Sequence, residues 1–270
     1  MYPELFTIGN LTVHSYGLMI ALGVLISAVA LYREAPGEKM NPDHVLEAVV
    51  ASTFFGLIGA RLLYVLLNWD YFSANPGEIL FAQFAGLSFY GGLFLGVFVL
   101  FIWTRWRKLP FFKLADLMAP YLALGYAFGR LGCFLNGCCY GRLSDLPWAM
   151  PAGMVDDALR HPVQLYAALG SVLVFAILRY LRPRRPFDGF VLMFLFALYG
   201  LLRFSTEFFR QEIAVWLGLS AAQIFSLALI LVSVLAIFAV RGFLSRADSS
   251  KSRSESSKKG SKKRRKGAKR

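Results

Sequence analysis

Charge is scarce in this chain until its last thirty residues. Of its 270 residues 17% are charged, against 57% hydrophobic and 16% aromatic, and a soluble domain of this length carries about 25% charged residues. That shortage excludes a water-soluble globular enzyme and leaves an all-α integral membrane protein. Other absences narrow the class. There is no internal repeat, which argues against transporters built from inverted repeats. No basic region precedes the first apolar stretch, which opens Met1-Tyr2-Pro3-Glu4, so the first span is expected to stay in place and not to be cleaved as a signal peptide. Only three histidines and three cysteines are present. No His-x-x-x-His or Cys-x-x-Cys pair accompanies Cys133, Cys138 and Cys139, so spacing gives no expectation of a metal.

What is present is apolar sequence in bilayer-sized lengths. A hydrocarbon core of about 30 Å takes roughly 20 residues of helix. Seven such spans are predicted: 14–32, 45–67, 87–103, 114–132, 162–180, 189–208 and 221–240. The loops after spans one, three and five, together with the tail, hold 23 of the 29 basic residues; the opposite face holds 5, and Arg61 lies inside span two. Basic loops stay cytoplasmic, so the N-terminus is expected outside and the C-terminus inside. Residues 1–240 form one seven-helix domain in this reading. Residues 241–270 are a Ser/Lys/Arg-rich tail with too few apolar residues to bury a core, expected to be disordered and cytoplasmic. Such a tail could bind anionic inner-leaflet lipid or ribosomal RNA; the plainer reading is a solvated topology anchor.

Helix rise then sets depth. At about 1.5 Å per residue, Arg61 and Arg130 both lie roughly 24 Å up a 30 Å core, and Arg203 roughly 21 Å. Spans running the other way begin at this level with His14 and Tyr16, with Ser88 and Tyr90, and with His161 and Gln164. Six helices thus bring polar side chains to one outer level. An arginine at that depth is costly unless it holds a partner, and two guanidinium forks around one pocket suit a phosphodiester. Arg203, Glu207 and Arg210 share one helix face at i,i+4 and i,i+3 spacing. An internal ion pair with a snorkelling Arg210 is the bland alternative.

Glycines crowd the same level. Gly125 and Gly129 have the spacing of close helix packing. Gly137 and Gly141 fall past a helix end, where backbone N–H groups can approach an anion. The cysteines admit four readings: small buried residues, a disulfide from Cys133 to one of the pair, zinc ligands without a supporting His-x-x-x-His or second Cys-x-x-Cys, or a thiolate activated beside Arg130.

Taken in order, these motifs resemble one family. They are Val13-His14-Ser15-Tyr16-Gly17, Gly59-Ala60-Arg61-Leu62, Ser88-Phe89-Tyr90-Gly91-Gly92, the run 129–141, Arg160-His161-Pro162-Val163-Gln164, and Arg203-Phe204-Ser205-Thr206-Glu207-Phe208-Phe209-Arg210. The chain resembles the bacterial phosphatidylglycerol–prolipoprotein diacylglyceryl transferases. The resemblance implies transfer of an sn-1,2-diacylglyceryl group from phosphatidylglycerol to the lipobox cysteine of a prolipoprotein signal peptide, at the outer face of the bacterial inner membrane. It implies no metal, no organic cofactor and no specific nucleic acid. His14, Tyr16, Arg130, Asn136, Arg203 and Glu207 are the catalytic candidates. Arg61, Tyr90, Gly91, Gly92, Gly141, His161 and Gln164 join Arg130 and Arg203 as substrate-binding candidates. The family's usual motif has Asn at Cys133, Glu at Cys138 and commonly His at Tyr90, so the headgroup pocket carries over better than the proton transfers. A phosphatidylglycerol-binding transporter or a non-catalytic paralogue is the alternative reading.

Overall fold

A computed structural model describes residues 2–8, 11–81, 86–151, 157–210 and 213–267, with side chains from 246 onward outside the description. The chain is mostly helical. A short antiparallel hairpin, β1 (Glu4–Ile8) and β2 (Leu11–His14), leads into α1 (Ser15–Glu34). There follow α2 (Pro42–Leu67), the short α3 (Trp69–Ala74) and α4 (Glu78–Phe81), α5 (Phe89–Trp106) and α6 (Phe111–Asn136). A second small hairpin, β3 (Met150–Pro151) and β4 (Leu159–Arg160), precedes α7 (Val163–Leu181), α8 (Phe190–Glu207) and α9 (Ala221–Gly267). The backbone of α9 is helical through much of the basic tail, and its apolar part ends at Ser245.

Six helices are long and apolar enough to cross a membrane among the described residues: those beginning at Ser15, Pro42, Phe89, Val163, Phe190 and Ala221. Their outward faces carry Phe94, Leu169, Phe225 and Phe238, all exposed, as suits a chain whose surroundings are hydrocarbon. This is a multi-pass membrane protein. The remaining long helix, α6, is as long as α2 at 26 residues, but Lys113, Asp116 and Arg130 interrupt its apolar character. It is also central. It packs on α1, α7 and α8, while α8 packs on α9 and α2 packs on α5.

Local chemistry explains where the helices start and stop. Asn41 Oδ1 accepts from the Asp43 amide at 2.9 Å, and Pro42 opens the first turn of α2, a side-chain cap followed by a residue with no N–H to satisfy. Gly137 ends α6 in the left-handed region, at φ 77°. At α9, Ser220 and Gln223 cap each other: the Gln223 amide donates to Ser220 Oγ at 3.2 Å, and the Ser220 amide to Gln223 Oε1 at 2.9 Å. That is a reciprocal capping box.

The dense core lies toward the Glu34 end, where Leu31, Ala35, Val45, Leu114, Leu117 and Tyr121 are buried together. An ion network closes that end. Arg185 grips Glu38 with both Nη atoms, at 2.9 and 2.7 Å, and this carboxylate holds the guanidinium above its ordinary pKa. Glu34 receives Arg179, Arg182 and the Tyr121 hydroxyl. Buried Asp116 accepts from the Gly189 and Leu192 amides at 2.8 and 2.9 Å, which fixes the start of α8. The basic residues that set topology in the sequence therefore also bind the helix ends together. Arg185→Ala is expected to destabilise the fold by about 2 kcal/mol, the scale of a hydrogen bond to a charged group. Arg185→Lys should recover only part of this, because an ammonium cannot form the two-pronged contact; thermal unfolding in detergent measures both.

Candidate active site

At the opposite end of the bundle, α6 and α8 each carry an arginine with a tyrosine four residues before it. Arg130 lies over the Tyr126 ring, 4.7 Å from guanidinium carbon to centroid. Tyr126 meets Tyr199 edge to face, with centroids 5.4 Å apart. The Tyr199 phenol is within electrostatic range of both Arg203 and Arg130. Arg130 thus stacks on a tyrosine pair whose second member stands one helical turn before Arg203 on α8. Cation–π contact holds a guanidinium plane in place while leaving its N–H groups able to reach an anion.

Glu207 holds the α8 side of this group. The residue is 4% exposed, and its carboxylate lies 3.0 Å from Arg203 Nη2 and 3.7 Å from Arg210 Nε and accepts from Ser220 Oγ at 3.1 Å. The Ser220 hydroxyl that caps α9 therefore also fixes the carboxylate that orients Arg203. A buried carboxylate between two arginines and a hydroxyl is the compensated arrangement that burial of charge demands.

Past Arg130 the end of α6 gathers the three cysteines. Their Sγ atoms lie within 4.8 Å of one another, and all three are free thiols, with Cys139 exposed; the disulfide considered from sequence is not formed. Cys138 N donates to the Cys133 carbonyl at 3.1 Å, and Cys139 sits at φ 62°. This left-handed conformation is uncommon for a residue other than Gly, Asn or Asp, and it turns the chain back over the helix end. Asn136 and Tyr16 lie near the thiols, Tyr16 within electrostatic range of all three and of Arg130. Tyr16 arrives there because α1 crosses α6 closely: a Cβ on Gly132 would stand 3.1 Å from the Tyr16 ring. From α7, buried Gln164 donates to the Cys138 carbonyl at 2.6 Å, and its own Oε1 is buried without a hydrogen-bond partner.

With that geometry in hand, comparison with known sequences is informative. The family profile described as prolipoprotein diacylglyceryl transferase matches residues 3–239. The chain belongs to the prolipoprotein diacylglyceryl transferase family. Among similar proteins is the phosphatidylglycerol–prolipoprotein diacylglyceryl transferase of Finegoldia magna, 35% identical over 232 residues, covering 85% of this chain and 92% of that one. The protein of the same name from Geobacter sulfurreducens is 39% identical over 228 residues, covering 81% and 85%. That from Streptococcus uberis is 33% identical over 246 residues, covering 88% and 95%.

Several candidates from the sequence of this transferase-family chain stand away from the Arg130–Arg203 group. Arg61 on α2 donates to the carbonyls of Ile79, Glu78 and Gly86 at 3.0, 2.6 and 3.1 Å and lies over the Phe72 ring at 5.1 Å. It clamps the excursion between α2 and α5. Tyr90 is 75% exposed, against Phe89. Gly91 and Gly92 face α2: a Cβ on Gly91 would stand 2.2 Å from the Gly59 carbonyl, and one on Gly92 3.2 Å from that of Gly56. These glycines serve helix approach. The α2–α5 pair joins the rest of the bundle chiefly through α1.

Arg61→Ala is expected to ease local opening of residues 75–81 and 86–88 by about 2–4 kcal/mol, since three carbonyls lose a charged donor. Hydrogen exchange should show this on both sides of that turn while α6 and α8 stay protected.

The remaining glycines also differ from expectation. Gly125 has nothing within 4 Å of an added Cβ, and Gly129 only Ile20 at 3.5 Å, so neither sits at a tight helix crossing. Gly141 does not offer its amide to an anion. That amide donates to the His161 carbonyl at 3.0 Å, and an added Cβ would meet the Phe209 carbonyl at 2.5 Å. The Gly137 amide likewise donates to Phe134. His161 is buried, its Nδ1 3.3 Å from the Tyr166 hydroxyl and its ring 5.1 Å from that of Phe209, so it ties the 141–160 loop to α7. His14 is the exposed residue preceding α1.

Tyr126 and Tyr199 are the side chains that sequence reading passed over. Their signal was present: each is placed i–4 to an arginine on its own helix, where side chains meet on one face.

Proposed function

We propose that this protein transfers the sn-1,2-diacylglyceryl group of phosphatidylglycerol to the lipobox cysteine thiol of a prolipoprotein signal peptide and releases glycerol phosphate. The observation that carries the reading is the stack of Arg130 on Tyr126 and of Tyr126 against Tyr199, one helical turn before Arg203 on α8, in a chain of this family. The acceptor sulfur attacks the glyceryl carbon bearing the phosphate ester. The carbon–oxygen bond breaks, and negative charge collects on the departing phosphate. Arg130 and Arg203 bind the headgroup and stabilise that charge, and preorganised donors of this kind are commonly the largest catalytic contribution. Glu207 orients Arg203. Tyr16 and Asn136 position donor or thiol, and His14 accepts the thiol proton. Gln164 and His161 shape the floor of the site beneath Cys138.

In this reading α6 is the seventh span. Its charged residues are tolerated because they fall at its two ends and meet partners there. The basic loops support a cytoplasmic position for the Glu34 end and the tail 241–270, where the tail adheres to anionic lipid. The Arg130 end then faces the periplasm across the bacterial inner membrane. The deciding assay incubates the full-length protein in phosphatidylglycerol vesicles with a labelled lipobox peptide. Mass spectrometry is expected to find a diacylglyceryl thioether on the cysteine peptide and none on its Ser counterpart. Phosphatidylglycerol retained with no thioether formed would contradict the reading.

A further inference from the structure

The mechanism above leaves the three cysteines without a task. Three Sγ atoms within 4.8 Å of one another match a soft-metal ligand set. Zinc–sulfur bonds of about 2.3 Å place tetrahedral thiolates about 3.8 Å apart, within about 1 Å of the spacing the three sulfurs already have. The scaffold is built for that approach. The Cys133 carbonyl receives the Cys138 amide, the Cys138 carbonyl is held by Gln164, and the left-handed backbone at Cys139 turns the chain back over the helix end. Strain at a residue other than glycine persists where the surrounding structure over-determines it. The electrostatics agree. Three thiolates and one divalent ion leave a single net negative charge, and Arg130 and Arg210 both lie within electrostatic range of Cys139. Exposed Cys139 leaves one side of the cluster open.

We propose that Cys133, Cys138 and Cys139 form a zinc site with an open fourth position, and that the acceptor thiol of the peptide occupies it. Three protein ligands and one vacant position are the signature of catalytic rather than structural zinc. A thiol coordinated to such an ion is deprotonated outright, so the acceptor arrives as thiolate next to Arg130, which binds the donor phosphate. The proposal rests on the transferase reading for its acceptor. The steps balance. On binding, the acceptor thiol gives its proton to His14, which is exposed and passes it to solvent. Its sulfur then forms a bond to the glyceryl carbon as the carbon–oxygen bond breaks, and the electron pair leaves on the phosphate of glycerol phosphate. The neutral thioether is a weaker ligand and vacates the ion.

The test begins with the full-length protein purified anaerobically in detergent, with thiols trapped at lysis in a parallel sample. Elemental analysis is expected to give about one zinc per chain, the stoichiometry of a single site. Cys133→Ser, Cys138→Ser and Cys139→Ser should each weaken zinc binding at least tenfold. Cobalt exchanged into the wild-type protein should show a thiolate charge-transfer band that shifts when lipobox peptide is added and stays put with its Ser analogue. Stripping zinc with a chelator should cut transfer at least a hundredfold, and zinc should restore it. Zinc no higher than in the triple Ser variant, copper as the bound ion, or a disulfide among the three in the trapped sample would each overturn the site. A cobalt band unmoved by the peptide, or undiminished transfer by stripped protein, would overturn the acceptor position and leave the transferase reading intact. A peptide-responsive cobalt band with no transfer would instead uphold the site and sink the transferase reading.

Discussion

Arg130→Ala is expected to lower diacylglyceryl transfer by two to three orders of magnitude, with the protein still folded. The estimate is the loss of one preorganised donor to a developing oxyanion, about 3–4 kcal/mol. Arg130 is suited to carry that effect because its guanidinium plane is held on Tyr126, with the thiol cluster within electrostatic range. Among the described residues no carboxylate pairs with it, so its removal strands none there, unlike removal of Arg203. Arg130→Lys should recover little, since an ammonium keeps the charge but loses the planar fork and the stacking. Tyr126→Leu should give a milder loss of about tenfold, consistent with a cation–π contribution of roughly 1–2 kcal/mol, and it should raise KM for phosphatidylglycerol more than it lowers kcat. Initial rates across a phosphatidylglycerol titration separate these outcomes. Equal rates for wild type and Arg130→Ala would remove the headgroup role.

Glu207→Ala should have the largest effect on stability, about 3–5 kcal/mol. That is the scale for removing one partner of a buried charge pair. Glu207 is 4% exposed and meets Arg203, Arg210 and Ser220 together. Without it, two cations remain near one another at the end of α8, and the capped start of α9 loses its anchor. Glu207→Gln keeps a hydrogen-bond acceptor for Ser220 but not the charge. It should be intermediate in stability, yet nearly as poor as Glu207→Ala in transfer, because Arg203 is no longer held in register. Ser220→Ala isolates the remaining contact and should cost about 1 kcal/mol, typical of losing a helix cap. Thermal unfolding read alongside transfer rates distinguishes the fold's use of Glu207 from its positioning of Arg203.

The helices were legible because apolar length is a strong signal in hydrocarbon, where the backbone must satisfy itself. Predicted and observed spans agree to within a few residues at most ends, and caps such as Asn41-Pro42 and Ser220-Ala221-Ala222-Gln223 are written in the sequence. The depth argument puts Arg130 and Arg203 at one level, and in the fold Tyr126 and Tyr199, each one turn before one of them, are in contact. It could not say which outer residues share a helix face in three dimensions. Arg61 has the right height but turns into the clamp around residues 78–86, and depth carries no information about azimuth. The same gap explains Gly91 and Gly92. Their position in the sequence predicts the same level, yet they face α2. The hairpin before α1 was overlooked, although Gly9-Asn10 between two runs of alternating residues is a strong turn signal. Tyr126 and Tyr199 went unnoticed because a tyrosine at a membrane boundary already has an ordinary explanation as an interfacial anchor.

The N-terminal hairpin has a practical consequence. The Tyr2 amide donates to the Leu135 carbonyl at 3.0 Å, and the Ser15 amide to that of Pro3 at 3.0 Å. The opening residues are thereby stitched across the last turn of α6, one position from Asn136 and beside the thiols. An affinity tag or fluorescent fusion placed ahead of Met1 would emerge at the mouth of the site, whereas one appended after Arg270 would hang from the far end of α9. Assays meant to compare variants should carry their handle at the C-terminus.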